Sequence, residues 1–233
     1  MKDHIIRVVL HALEERALLD QSQALWLESY GGFGIILTSI PWRESWKYGE
    51  RAFRYCQHDL GHALGALRFA CNLNGWKMSL IPKISAKRLE RFLGFDQLHW
   101  TDGEAEHVEC LCWVEGKQQD SKVILEWFDS QENPIYTHPP NRLSEKHVEW
   151  GIIDKVQKAS QINDSIVLKT PNSSHPDEGT FTSAFTAEGI IRRRRSAQNY
   201  DQNTSRTDLA NFSHTLKKTL PSSGCPFDVL PYE

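Results

Sequence analysis

Three groups of residues have the types and spacings that chemistry requires. His58-Asp59-Leu60-Gly61-His62 places two imidazoles four residues apart with a carboxylate between them. On a helix that spacing puts both rings on one side, where they could share a metal ion, and the adjacent His58-Asp59 could act as a metal pair of its own. The acidic position holds the shorter Asp, and the upstream histidines, His4 and His11, are poorly placed as further ligands. The second group is Arg192-Arg193-Arg194-Arg195-Ser196. Guanidinium forks grip phosphate oxygens bidentately, and a hydroxyl adds one more bond. Read alone, the four arginines would favour a nuclear-import or nucleic-acid patch. The third group is Cys110 and Cys112, which would share one side of a strand. No second Cys or His pair at zinc spacing accompanies them. Glu14 and Glu15 are adjacent, so on a helix they do not face each other and read as a solvated face rather than an acid/base dyad.

The elements that must position these groups lie mainly between Glu50 and Val114. Leu60, Ala63, Leu64, Leu67, Ala70 and Cys71 recur at helical spacing within Gln57–Leu73. Gly61 and Gly65 interrupt that helix, each at a cost of about 1 kcal/mol relative to alanine. The expectation is that another backbone or a flat ligand packs closely there. Gly75 stops the helix, and Trp76–Ile81 reads as a strand ended by Pro82. Ser85 caps a second helix carrying Leu89, Phe92 and Leu93, which Gly94 ends. Val108–Val114 is a mostly apolar run short enough for a buried strand. Helices alternating with strands over short connections indicate layered α/β packing.

Outside that stretch, Met1–Leu27 reads as an amphipathic helix, with Ile5, Ile6, Val9, Leu10 and Leu13 on its apolar side. Phe33–Ile40 reads as a strand bounded by Pro41. Trp42–Tyr48 connects it to the long helix, and its Arg43 and Lys47 either meet an anionic group or lie at the surface between tryptophans. Ser144 is expected to cap a helix running through Val148, Ile152, Ile153 and Val156. Lys158–Ala187 is rich in Ser, Thr, Asn, Asp and Pro and reads as a linker. Asp208–Thr219 reads as a last helix.

Composition narrows the class. The chain has 233 residues, 39% of them hydrophobic, enough for a real core in one large domain or one and a half smaller ones. A mean hydropathy of −0.51 implies substantial polar segments as well. The formal charge of −3 gives no global case for nucleic acid or an anionic membrane. No segment approaches the roughly 20 apolar residues of a membrane span. Five scattered cysteines do not form a disulfide framework; reduced thiols in a cytoplasmic protein are the expectation.

Two sets of residues resemble a known family. Tyr48-Gly49-Glu50-Arg51-Ala52-Phe53-Arg54-Tyr55, Asp59-Leu60-Gly61-His62-Ala63 and Gly75 resemble the central helix of FMN-dependent nitroreductases, in the branch of the thiazoline and oxazoline dehydrogenases. That helix usually carries Gln-Asn where Gly65-Ala66 stand here. Ile190-Ile191-Arg192-Arg193-Arg194-Arg195-Ser196 through Tyr200-Asp201 resembles the opening of such a domain, with Gln198 where the family has Arg or Lys. Asn141–Ser144 and Trp150–Asp154 are similar to the linker of tandem members.

The resemblance implies an α+β fold: a nitroreductase-like mixed sheet flanked by helices, incomplete, followed by a polar linker and the start of a second similar domain. Residues 1–118 would be the C-terminal part of one domain, 119–187 a linker with a short helix, and 188–233 the start of the second. It implies FMN as cofactor, with Arg194, Arg195, Ser196 and Gln198 as contacts and Lys117 and Arg43 near its phosphate. It also implies hydride transfer from a reduced nicotinamide or a substrate, and a site completed by another copy or a longer tandem partner. No catalytic side chain is assigned. The competing expectations are a non-catalytic pseudo-domain or short isoform acting through protein association, and a metal-dependent hydrolase using His58, Asp59 and His62.

Overall fold

A computed structural model of the chain describes residues 32–81, 84–100, 104–115, 126, 148–161, 184–201, 203, 206–220 and 224–227. The helix expected over Met1–Leu27, the Ser144 cap, Lys117 and most of the Ser/Thr-rich stretch lie outside the described residues.

Three strands form one sheet in the order β1 (Gly32–Ser39), β3 (His107–Glu115), β2 (Lys77–Leu80). Both pairings are antiparallel, so the described sheet is not the mixed one expected. The central strand is β3, the apolar run seen in the sequence. Side chains alternate across a pleated strand, and both faces here are apolar. Ile36, Val108, Leu111 and Trp113 lie on one face, beneath Leu89, Phe92 and Leu93 of α3 (Ala86–Leu93). Ile35, Leu37, Met78, Cys112 and Val114 lie on the other, against Leu60, Ala63, Leu64, Leu67 and Cys71 of α2 (Ala52–Leu73). Each fully buried aliphatic side chain contributes about 1.5–3 kcal/mol, so this helix–sheet–helix stack holds the described core.

The register slips by one residue between Leu37 and Thr38: Leu37 pairs with Cys110, and Thr38 with Val108. Glu109 is the extra residue, a β-bulge. Without it, Val108 would fall on the α2 face. With it, Val108 joins Leu111 and Trp113 beneath α3.

Local chemistry fixes the ends of these elements. At the C-terminus of α2, Gly75 takes φ 69°, the Trp76 amide donates to the Cys71 carbonyl at 2.9 Å, and the Gly75 amide donates to Asn72 at 3.1 Å. This is the Schellman arrangement. Ser85 accepts from the Arg88 amide, and Gly94 closes α3 at φ 74°. Pro41 does more than end β1. It stands at the first position of α1 (Pro41–Tyr48), where a missing N–H costs nothing. The connection expected before the long helix is therefore itself a helix. Tyr48 stacks on Tyr55 at 3.8 Å between centroids, fixing the corner between α1 and α2.

Two expectations need correction. The helix foreseen from Ser144 is α4, Gly151–Ser160, so Val148 precedes it and Lys158 belongs to it rather than to a linker. Among the described residues, no backbone packs tightly against Gly61 or Gly65. A Cβ built on Gly61 meets nothing within 4 Å among the described residues, and one on Gly65 meets only Pro226 at 3.9 Å. The sheet takes the Leu60–Leu64–Leu67 side of α2, which leaves Gly61 exposed on another. The long helix begins at Ala52, following a 3-10 turn over Gly49–Arg51. Farther on, α5 (Ala187–Arg193) and α6 (Leu209–Lys217) contain no buried residue.

Candidate functional site

The bulge organises a chemically distinctive place among the described residues. Glu109 accepts hydrogen bonds from the Ser39 hydroxyl and from Gln57 Nε2, the latter at 2.9 Å. It thereby ties the end of β1 to the first turns of α2. Glu106, only 5% exposed, accepts from Thr38 Oγ1 at 2.6 Å. These carboxylates border a cavity of about 310 Å³ between the β1–β3 ladder and the N-terminal half of α2. Leu37, Ile40, Leu60 and Ala63 supply its apolar wall. Glu44, Asp59, Glu106 and Glu109 supply four carboxylates, against the single guanidinium of Arg43 and the imidazole of His62.

The local field shows in Cys56, a buried thiol on this lining. Burial pushes its pKa up to about 12, and Glu109, Glu44 and Asp59 push in the same direction. A thiolate is disfavoured in low dielectric beside negative charge, so Cys56 is not a nucleophile at neutral pH. Cys110 and Cys112 lie together on the α2 side, and their mutual hydrogen bond and burial hold the Cys110 thiol well above its ordinary value. All five cysteines are free thiols.

The residues singled out from sequence fall in different places. His62 Nδ1 lies 3.7 Å from Asp59 Oδ1, both on the outer part of α2, where the His62 side chain is 85% exposed. Among the described residues, no three His, Cys, Asp or Glu side chains are grouped to hold a metal ion. The hydrolase expectation therefore gains no third ligand from them. Arg43 lines the acidic cavity, an environment that suits cations rather than a phosphate. Lys47 Nζ sits 5.1 Å from the ring centroid of Tyr48. Arg194, Arg195, Ser196 and Gln198 are exposed and follow α5 directly. Arg195 Nη1 donates to the carbonyls of Arg192 and Arg194, at 3.0 and 2.8 Å, and Arg192 pairs with Glu188 at 2.8 Å.

FMN needs a cationic grip for its phosphate and a wall for its ring. The donor set Arg194, Arg195 and Ser196 fits the first requirement: two guanidiniums and a hydroxyl, contiguous and exposed. Those residues line neither the acidic cavity nor a smaller one of about 280 Å³ beside Trp42 and Trp150. Neither of these two cavities adjoins the three side chains.

Sequence reasoning missed Thr38, Ser39, Gln57, Glu106 and Glu109. Their one signal was the repeated carboxylate at Glu104, Glu106 and Glu109 entering an apolar strand. No described helix is long and apolar enough to cross a membrane. No family model matches this chain, and neither a curated protein nor a solved structure matches it.

Proposed function

We propose that this chain is part of a nitroreductase-like flavoprotein oxidoreductase. Its site would be completed by another copy or a longer tandem partner. The observation that carries the reading is the form of the motif helix. The residues from Tyr48 to Ala63 make one structural corner, with α2 laid across the sheet on its apolar side and Gly61 open on another. A helix so placed is anchored by its own domain, and among the described residues nothing covers its Gly61 side. Arg194, Arg195 and Ser196 would hold the FMN phosphate through charge-assisted bonds. FMN, when bound, supplies hydride transfer from a reduced nicotinamide or a substrate, and the protein's part is to bind and orient it.

The test is the visible absorbance of the purified chain before and after addition of FMN. Uptake with the ordinary flavin bands, lost in Arg194→Ala/Arg195→Ala, is the expected result. A chain that stays colourless and takes up no FMN overturns the reading. A second reading is then favoured by one observation: the arginine segment lines neither cavity. In it the chain is a non-catalytic pseudo-domain acting through protein association, since fold alone does not carry activity.

A further inference from the structure

We propose that Ser196 is a phosphorylation site, modified by an arginine-directed serine kinase that takes the γ-phosphoryl group from a nucleoside triphosphate. The sequence supplies the recognition. Arg193 and Arg194 stand three and two residues before Ser196, within an unbroken run of four arginines. Guanidiniums at fixed offsets from a hydroxyl are a pattern that a carboxylate-lined kinase cleft grips through charge-assisted bonds. The structure supplies the presentation. The helix α5 ends at Arg193, and Arg194 turns to φ −56° and ψ 131°, an extended conformation. The chain from Arg194 to Ala197 belongs to no helix or strand, and Arg194, Arg195 and Ser196 are all exposed. A kinase cleft can take up the serine without unwinding a helix. Ser45 is the internal contrast. It has Arg43 two residues before it, but it lies within α1, is 3% exposed and donates to the Trp42 carbonyl at 2.8 Å. The same kinase does not reach Ser45 in the folded chain.

The outer arginines of the run are already engaged locally. Arg192 pairs with Glu188, and Arg195 Nη1 is turned back onto the carbonyls of Arg192 and Arg194. Recognition therefore falls to Arg193 and Arg194. In the transfer the bond between Ser196 Oγ and the γ-phosphorus forms, and the bond from that phosphorus to the bridging oxygen breaks. The hydroxyl proton goes to a carboxylate of the kinase, and the nucleoside diphosphate leaves. The product carries a charge of about −1.5 to −2 and three strong acceptor oxygens. These stand next to Arg194 and Arg195, the donors proposed to hold the FMN phosphate, so the segment's own phosphate competes for the same guanidiniums. Phosphorylation would thus close the flavin site. That consequence rests on the flavin reading, whereas the modification itself does not.

The experiment incubates the full chain with magnesium ATP and the catalytic subunit of cyclic-AMP-dependent protein kinase, an arginine-directed enzyme. An acid-directed casein kinase serves as the comparison, and intact mass with peptide mapping reads the product. Transfer of a phosphoryl group to Ser196 by the first kinase is expected. Ser196→Ala should lose it, and Arg193→Ala/Arg194→Ala should slow it about tenfold, the scale of lost charge-assisted bonds. No transfer to Ser196, an equal rate in the arginine variant, or an equal rate with the acid-directed kinase overturns the proposal. FMN affinity is then compared before and after modification, with a fall of about tenfold expected on the same scale. Unchanged affinity in the phosphorylated chain overturns the closure of the flavin site. If the unmodified chain binds no FMN, the flavin reading fails and takes that closure with it, while transfer to Ser196 still decides the modification.

Discussion

Between Gly32 and Glu115 each strand and each α-helix contributes buried side chains, while neither α5 nor α6 contributes any. The first region is held by packing between elements distant in sequence. Leu111 on β3 is fully buried, and Ile36 on β1 is 1% exposed beside it. The second carries local hydrogen bonds at its helix ends. Thr186 caps α5 by accepting from the Gly189 amide at 3.1 Å, and Asp208 caps α6 by accepting from Asn211 at 2.7 Å. Helices of seven and nine residues are marginal on local interactions alone. The comparison separates two jobs. Packing builds the acidic cavity, whereas the arginine segment offers exposed charge.

The sharpest way to break the comparison is to empty the sheet. Leu111→Ala should cost about 3 kcal/mol, from lost burial plus the cavity left behind, and urea unfolding followed by tryptophan fluorescence measures it. Gly32→Ala should cost about 1–3 kcal/mol by overpacking. An added Cβ there would stand 2.6 Å from the Val114 carbonyl and 2.8 Å from Trp113 Nε1.

A matched pair of cap removals then tests the regions against each other. Ser85→Ala should lower the global unfolding free energy by about 1 kcal/mol, because α3 is part of the core. Asp208→Ala removes an equivalent cap but should reduce only local helicity, leaving the urea midpoint of the sheet unchanged. An equal shift of that midpoint in both variants would show that α6 unfolds together with the sheet.

Cys56 gives the comparison a pH axis. Its thiol ordinarily titrates at 9.0 and is pushed up to about 12 in the fold. The folded state thus keeps a proton that the unfolded state releases. The stability this contributes is fully present below pH 9 and is lost as pH rises towards 12. Thiol-reagent labelling at pH 8 should leave Cys56 unmodified in the native protein. Glu109→Gln should bring its titration down without making it ordinary, since burial is the larger cause. Burial acts oppositely on His107, whose imidazole titrates below its usual 6.5, so its contribution is present above that pH and lost as pH falls below it. The smallest effect belongs to the exposed segment. Arg194→Ala/Arg195→Ala should change unfolding by less than about 0.5 kcal/mol.

Most of the stack was legible in the sequence, because periodicity, Ser85, Gly75 and Gly94 state where helices and strands run and stop. Pro41 was ambiguous, since the same ring can end a strand or begin a helix. The cavity was not legible. It depends on the extra residue at Glu109, and a bulge arises from how two strands pair rather than from either strand alone. Gly61 misled for a related reason: glycine permits close approach, but which side of a helix is approached is decided by the partner. The arginine motif was visible as a motif, and the described contacts of Arg192 and Arg195 are local to it.

The most direct test of the flavoprotein account is the dissociation constant for FMN, read from quenching of flavin fluorescence by the full chain and by Arg194→Ala/Arg195→Ala. The account predicts saturable binding weakened at least tenfold in the double variant, on the scale of losing charge-assisted phosphate bonds, with the fold unchanged by circular dichroism. Equal affinity in both proteins, or no binding by either, would contradict it.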